Sequence, residues 1–113
     1  MKVFDYKKVE AKNADEGASG LKVRWLITKE MGAPNFAMRL FEMDPRGKSP
    51  LHTHAWEHEV FVLEGEGAVL DGEKERRLKV GDVVFIKPNE KHQFKNDGSV
   101  TLKFLCLVPI SDK

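Results

Sequence analysis

The chain has 113 residues, and its 19 basic and 18 acidic side chains leave a formal net charge of +1. Because these charges are mixed and form no basic stripe, we expect no nucleic acid as a partner. No apolar run reaches the roughly 18 residues of a membrane span, so we expect no membrane partner either. The N-terminus lacks the apolar core of a signal peptide, and the single cysteine excludes an intramolecular disulfide. These features predict a single domain, residues 1–113, in the reducing cytoplasm.

Short apolar segments and turn signals alternate along the chain. The polar stretch 7–20 is expected to be irregular, and apolar and polar side chains alternate over 23–27 as in a half-buried strand. A longer apolar run covers 36–43, and the sequence at 44–47 has the proline and glycine of a β-turn. Further strands are predicted over 51–54, 58–63, 68–70, 74–78, 83–86, 92–95 and 100–108. Many short strands separated by turns predict an all-β sandwich or barrel.

All four histidines fall between positions 52 and 92, which indicates a ligand pattern. Alternate residues of a strand point to the same face, so His52 and His54 can reach one point together. His58 begins the next apolar run, and His92 follows 34 residues later. Imidazole is the commonest protein ligand of transition metals, so the pattern predicts one bound divalent metal ion.

Two groups of residues around these histidines resemble the motifs of the cupin superfamily. The first group is Gly47, His52-Thr53-His54 and Gly65, and the second is Gly81, Pro88, His92 and Asn96. Asn89 departs from the pattern because it stands in place of a glycine, and the proline lies one place later than usual. The resemblance covers about residues 35–108 and implies an all-β double-stranded β-helix, the jelly-roll cupin barrel, preceded by N-terminal strands over about 1–34.

The fourth ligand is open to two interpretations. His58 stands where the shorter form of the first motif has a glutamate, whereas Glu59 fits the longer spacing. The ligands are therefore either all four histidines or three histidines with Glu59. Strand alternation favours His58, since it would share the inner face with Val60 and Val62 while Glu59 points away.

The four-histidine set also resembles a subgroup of small cupins from thermophilic bacteria in which four histidines hold manganese. The similarity extends through residues 33–36, 56–59 and 104–107. The resemblance favours manganese, although an all-nitrogen set is unusual for that ion and also suits iron, nickel, copper or zinc. Four neutral imidazoles would leave the full +2 charge on the metal, which favours anionic ligands such as carboxylates.

Five residues are candidates for the walls of a substrate pocket. Arg39 lies inside an apolar run, where it either binds a substrate carboxylate or faces solvent. Cys106 is expected on the inner face as an inert buried thiol, with a reactive thiol as the alternative. Trp56 is expected to anchor a tight connection by packing rather than to stack on a substrate. Phe94 and Phe104 are expected to line an apolar pocket around the metal, and no residue is assigned to catalysis.

These expectations favour a metal-dependent oxidoreductase that uses dioxygen or peroxide to oxidise a small organic molecule. The alternatives are a metal-dependent isomerase, a non-catalytic cupin that binds a small ligand or anion as a sensor, and a barrel that the metal only stabilises. Apolar side chains on both faces of 36–43 and 58–63 predict that a second copy covers the outer face, giving a homodimer. The resemblance implies that the two copies exchange N-terminal strands near 23–27.

Overall fold

The structure, a computed structural model, describes residues 1–14 and 17–110, and its regular elements are almost all β-strands. The strands are β1 (Lys12–Asn13), β2 (Ser19–Ile27), β3 (Phe36–Lys48), β4 (His58–Glu64), β5 (Glu66–Leu70), β6 (Glu75–Lys79), β7 (Val83–Ile86), β8 (Gln93–Lys95) and β9 (Leu102–Pro109). The helical segments of the described residues are two 3₁₀ turns, Tyr6–Lys8 and Lys29–Met31. Neither is long or apolar enough to cross a membrane. The all-β fold class predicted from the sequence is confirmed.

The strands form one antiparallel sheet that curls around its own inner face. Its order is β6-β5-β8-β3-β9-β4-β7, with β2 added on β3 and β1 on β2. With 13 residues, β3 is the longest of the described strands; it pairs with β9 over its first part, with β2 over that part and again at Lys48, and with β8 at Lys48. β6 and β7 lie at the two ends of this order, so each has one edge without a neighbour among the described strands.

The inner face of the sheet is the hydrophobic core. In β4, His58, Val60 and Val62 are buried while Glu59 and Phe61 are exposed, which is the alternation expected from the sequence. The largest fully buried side chains are those of Phe104, Leu40, Met43, Leu102, Val62 and Asn96. Each buried apolar side chain of this kind contributes about 1.5–3 kcal/mol to stability. The core therefore fixes the strand that carries His58.

The β-turn predicted at residues 44–47 is wrong, because these residues continue β3 through a bulge. The register of the β2–β3 pairing shifts at this point, and Arg46 takes a positive φ of 70°. Gly47 passes so close to Gly20 that a Cβ on Gly47 would lie 2.8 Å from the Gly20 carbonyl oxygen. The extra residues bend the strand instead of reversing it, so that its end reaches β8.

The strand predicted over 51–54 is also wrong. Residues 49–57 are irregular apart from one isolated bridge between His52 and His92. These two residues exchange backbone hydrogen bonds, with N···O distances of 3.2 and 3.1 Å. Pro50 has no N–H to donate, which disfavours a regular ladder at the start of the segment. The segment is therefore a loop attached to the chain just before β8.

The N-terminal segment folds against its own chain. β2 pairs with β3 along most of its length. The guanidinium of Arg24 holds the turn that precedes β1: Nη1 donates to the Val9 carbonyl at 2.6 Å, and Nε donates to Glu42 at 2.9 Å. Within 7–20, predicted to be irregular, the described residues contain the end of one 3₁₀ turn, the two-residue β1 and the start of β2. Positions 15 and 16 of this stretch lie outside the described residues.

Candidate metal centre

Four imidazole side chains from three segments converge on one cavity. His58 is the first residue of β4, and His92 lies just before β8; both are buried. The loop that carries His52 and His54 is held to the segment before β8 by the bridge between His52 and His92. In addition, the amide of Asn89 donates to the His54 carbonyl at 2.7 Å. Asn89 has a φ of 67°, a left-handed conformation that asparagine tolerates better than most residues.

The four rings lie close to one another. The distance between ring centroids is 4.5 Å for His54 and His58, 4.9 Å for His52 and His92, and 5.3 Å for His58 and His92. One ring nitrogen from each of His52, His54 and His92 lies within 4.8 Å of the other two, so these three histidines can hold a metal ion. His58 lies beside this group at the start of β4, with its Nε2 2.8 Å from Nε2 of His54.

Backbone carbonyls fix the position of the proton in two of these rings. Nδ1 of His54 lies 3.0 Å from the carbonyl oxygen of Trp56, and Nδ1 of His92 lies 2.8 Å from that of Glu90. A carbonyl oxygen only accepts hydrogen bonds, so Nδ1 carries the proton and Nε2 of the neutral ring presents a lone pair. Metal-binding histidines are typically oriented in this way through their outer nitrogen.

The outer nitrogen of His58 faces a donor and a sulfur. Its Nδ1 lies 3.3 Å from Nη2 of Arg39 and 3.4 Å from Sγ of Cys106. Arginine only donates, so without a metal His58 accepts at Nδ1 and carries its proton on Nε2, which donates to His54. Ligation through Nε2 would require this proton to move to Nδ1, where Sγ of Cys106 is within reach as an acceptor. The donor set therefore fits a metal ion, and ligation by His58 requires this change of tautomer.

Burial keeps two of these rings neutral at physiological pH. It lowers the pKa of His58 to about 3, and the charges of Arg39 and of the neighbouring imidazoles act in the same direction. Burial also lowers the pKa of His54, although its hydrogen bond to the Trp56 carbonyl opposes the shift. A neutral ring need lose no proton before it binds a cation. At Cys106, burial raises the pKa of the thiol, and Arg39 opposes this shift.

The histidines open into a cavity of about 400 Å³. All five candidate pocket residues line it: Arg39, Trp56, Phe94, Phe104 and Cys106. The Trp56 ring stacks on the His54 ring, with centroids 4.3 Å apart and planes 6° apart. The sequence left open whether Arg39 faces solvent or a substrate; its side chain faces this cavity. Glu59 does not line it, because it is exposed on the outer face of β4.

Two aromatic residues that were not among the candidates lie against Arg39. The Cζ atom of Arg39 is 4.8 Å from the ring centroid of Phe41 and 5.4 Å from that of Trp25. Phe41 follows Arg39 by two positions, so strand alternation could have placed both on one face. Trp25 lies opposite Arg39 in the register of β2 and β3, which no local pattern in the sequence specifies.

The family profile described as Cupin domain matches residues 39–108. The chain belongs to the cupin family. The matched segment runs from within β3 into β9 and includes all four histidines. The curled sheet is the barrel of this family, so both the resemblance seen in the sequence and the jelly-roll fold that it implied are confirmed.

Relatives of this cupin carry names that describe different activities. It is 33% identical over 100 residues to the oxalate-binding protein of Thermotoga maritima, covering 85% of this chain and 81% of the relative. It is 35% identical over 71 residues to 1-methylthio-D-xylulose 5-phosphate methylsulfurylase of Rhodospirillum rubrum, covering 63% of this chain but only 46% of that protein. The solved structure of the polyketide cyclase RemF from Streptomyces resistomycificus matches with a TM-score of 0.92 and 33% identity, over 98% of this chain and 80% of that one. Membership of the family therefore does not fix the reaction.

Proposed function

We propose that this cupin binds one divalent transition metal through its four histidines, with manganese the favoured ion. The observation that carries the proposal is that one ring nitrogen from each of His52, His54 and His92 lies within 4.8 Å of the other two, with Nε2 of His58 2.8 Å from Nε2 of His54. Glu59, the alternative ligand, is exposed on the outer face of β4. An all-nitrogen set also suits iron, nickel, copper or zinc, so metal analysis of the purified protein decides the ion.

The metal-loaded cupin, in this proposal, is an oxidoreductase that uses dioxygen or peroxide to oxidise a small organic molecule. A bound manganese or iron ion would supply Lewis acidity and a second oxidation state. The chain surrounds the site with Phe41, Phe94 and Phe104, and an apolar wall of this kind excludes water and accepts an organic substrate. Arg39 adds a positive charge beside the histidines that can orient an acidic substrate.

A second candidate is a binding cupin without turnover, whose ligand is a small anion. The Thermotoga maritima relative, 33% identical, is named an oxalate-binding protein. A dication held by neutral imidazoles beside Arg39 would attract an anion to the same cavity. This function needs the same residues but no change in oxidation state.

A turnover assay distinguishes the oxidoreductase from the binding cupin. Protein purified without added metal is analysed for bound ions, loaded with the ion found, and incubated with a hydroperoxide and a panel of alkenes, catechols and diketones. Product beyond that of the free metal, and its loss in His92→Ala, supports the oxidoreductase. Absence of product, combined with a change in the metal's spectrum on addition of oxalate, favours the binding function.

We further propose that this cupin is a cytoplasmic homodimer. Its one cysteine, Cys106, is free and buried, which suits a reducing compartment. Phe61 and Phe85 are exposed on the outer face of β4 and of the edge strand β7, and Phe61 lies opposite the exposed Val83. The same patch on two copies can meet about a two-fold axis and cover this face. β2 pairs with its own β3, so such a contact requires no exchange of N-terminal strands.

A further inference from the structure

Arg39 lies between two cavities. It lines the inner cavity with the histidines, of about 400 Å³, and also a neighbouring outer groove of about 680 Å³. Trp56 is likewise shared by both spaces. A ligand held at Arg39 would therefore extend from the histidines into the outer groove.

The contacts of the Arg39 guanidinium leave its charge without a carboxylate. Nη2 lies 3.1 Å from Sγ of Cys106 and 3.3 Å from Nδ1 of His58. Nε is buried and makes no hydrogen bond within residues 1–14 and 17–110. No aspartate or glutamate of that part of the chain lines the inner cavity. A buried donor without a partner is unfavourable in a folded protein, so its presence indicates a place where a ligand supplies the acceptor.

Two aromatic rings hold the guanidinium in position. The ring centroids of Phe41 and Trp25 lie 4.8 and 5.4 Å from Cζ of Arg39, within the range of cation–π contacts. Nη2 already contacts Cys106 and His58, so the N–H edge that a ligand can complete is the one that includes Nε. That edge is a rigid fork that matches the two oxygens of a carboxylate.

The outer groove has an aromatic wall. Trp25 and Trp56 both line it, and they are 44% and 45% exposed. Half-exposed indole rings beside a cavity offer flat apolar surfaces on which a flat ligand can stack. Lys12, Lys29 and Glu30 bring further charges of both signs to the same groove, so the share of Arg39 in any preference for a negative group is measured by replacing Arg39.

We propose that this site takes a planar aromatic or conjugated carboxylate. The carboxylate pairs with the fork of Arg39, and the apolar body lies against Trp25 and Trp56. The inference rests on the proposed function only in placing the reacting end of the ligand beside the metal-binding histidines. It narrows the substrate class to flat organic acids.

Tryptophan fluorescence tests the proposal in the absence of metal, because the chain's two tryptophans both line the groove. Metal-free protein is titrated with cinnamate, with the uncharged cinnamyl alcohol, and with acetate, which lacks the ring. Cinnamate should bind about tenfold more tightly than either of the others, since it alone combines a charged hydrogen-bonding group with a stacking surface. Equal affinity for cinnamate and cinnamyl alcohol overturns the proposal.

Two variants test whether Arg39 supplies the positive charge that binds the carboxylate. Arg39→Met should abolish the preference for cinnamate over the alcohol. Arg46→Asn is the matched control: Arg46 is exposed, lines neither cavity, and has a positive φ that asparagine tolerates. This control should keep the full preference, and retention of the preference in Arg39→Met contradicts the proposal.

A measurement on the native chain covers the case in which Arg39→Met does not fold. In ¹⁵N-labelled metal-free protein, the Arg39 Nε–H resonance should shift on addition of cinnamate and stay in place with cinnamyl alcohol. A resonance that cinnamate leaves unmoved overturns the proposal. Metal content and turnover are measured separately, so a failure of the oxidoreductase function and a failure of this ligand class give different results.

Discussion

Nε2 of His54 and Nε2 of His58 lie 2.8 Å apart. Two lone pairs at this distance repel, so a proton or a cation must lie between them. In the metal-free chain the proton of His58 occupies this position, because Nδ1 of His54 already donates to the Trp56 carbonyl. Binding of a metal ion to both nitrogens therefore requires His58 to change its tautomer.

Replacement of any one of the four histidines by alanine should sharply reduce metal content. Each ring supplies one nitrogen, so affinity should fall by more than the roughly 10–100-fold that loss of an outer hydrogen-bond partner costs. Elemental analysis after dialysis measures the bound metal. Glu59→Ala is the matched control, since Glu59 follows His58 in the chain but faces outward. Loss of metal in Glu59→Ala, with retention in His58→Ala, would assign the ion to three histidines and Glu59.

The metal-free protein should lose stability as the pH falls from about 6.5 towards 3. Burial lowers the pKa of His58 from 6.5 to about 3. Between these values the unfolded chain binds a proton that the folded chain does not, so the free energy of unfolding falls by at most about 1.4 kcal/mol per pH unit from this group. Urea denaturation between pH 7 and pH 4.5 measures the slope. His58→Phe should show a flatter dependence, and a native slope no steeper than that of the variant would contradict a neutral His58 in the folded chain.

Asn96→Ala should destabilise the barrel strongly. The side chain is 1% exposed; Nδ2 donates to the carbonyls of Met43 and Val100, and Oδ1 accepts from the Gly98 amide, all at 2.9 Å. Loss of the buried contact to the Met43 carbonyl costs roughly 1–3 kcal/mol, and the two part-buried contacts add less each, so we expect a loss of about 2–5 kcal/mol. Chemical denaturation measures it. Asn13→Ala, at an exposed position of β1, should change stability little, and equal effects of the two substitutions would contradict the structural role of Asn96.

Phe61→Glu should convert the proposed dimer into a monomer. Phe61 is exposed on the outer face of β4 opposite Val83, where a carboxylate would lose hydration in an interface but not in a monomer. Size-exclusion chromatography with light scattering gives the mass at micromolar concentration. Val100→Glu, another exposed apolar position outside β4 and β7, should leave the mass unchanged. If the native protein has the mass of a monomer, the dimer proposal is wrong.

Strand alternation is a local property, so residues 58–62 alone were enough to place His58 inside and Glu59 outside. The failed predictions depend on partners that are distant in sequence. The loop at 51–54 is shaped by the bridge from His52 to His92, and β3 continues through 44–47 because Arg46 and Gly47 exchange backbone hydrogen bonds with Asn96, just after β8. A local turn signal does not end a strand when neighbouring strands offer it hydrogen bonds.

The position of Arg39 illustrates the same limit. The sequence left open whether this side chain faces solvent or the pocket. Trp25, Arg39 and Cys106 lie side by side on three strands, which brings the guanidinium to the cavity. Cross-strand register arises from the pairing of the whole sheet, so one sequence without its structure does not specify it.

The bridge between His52 and His92 also bears on the kinetics of metal exchange. His52 and His54 are carried by an irregular loop that a few backbone hydrogen bonds hold to the segment before β8, whereas His58 belongs to a core strand. Such a loop opens at low free-energy cost while the barrel stays folded. An ion bound to both elements would hold the loop closed. The lifetime of the bound ion is then set by loop opening, and the rates at which the His52 and His92 amides exchange with deuterium would measure that opening directly.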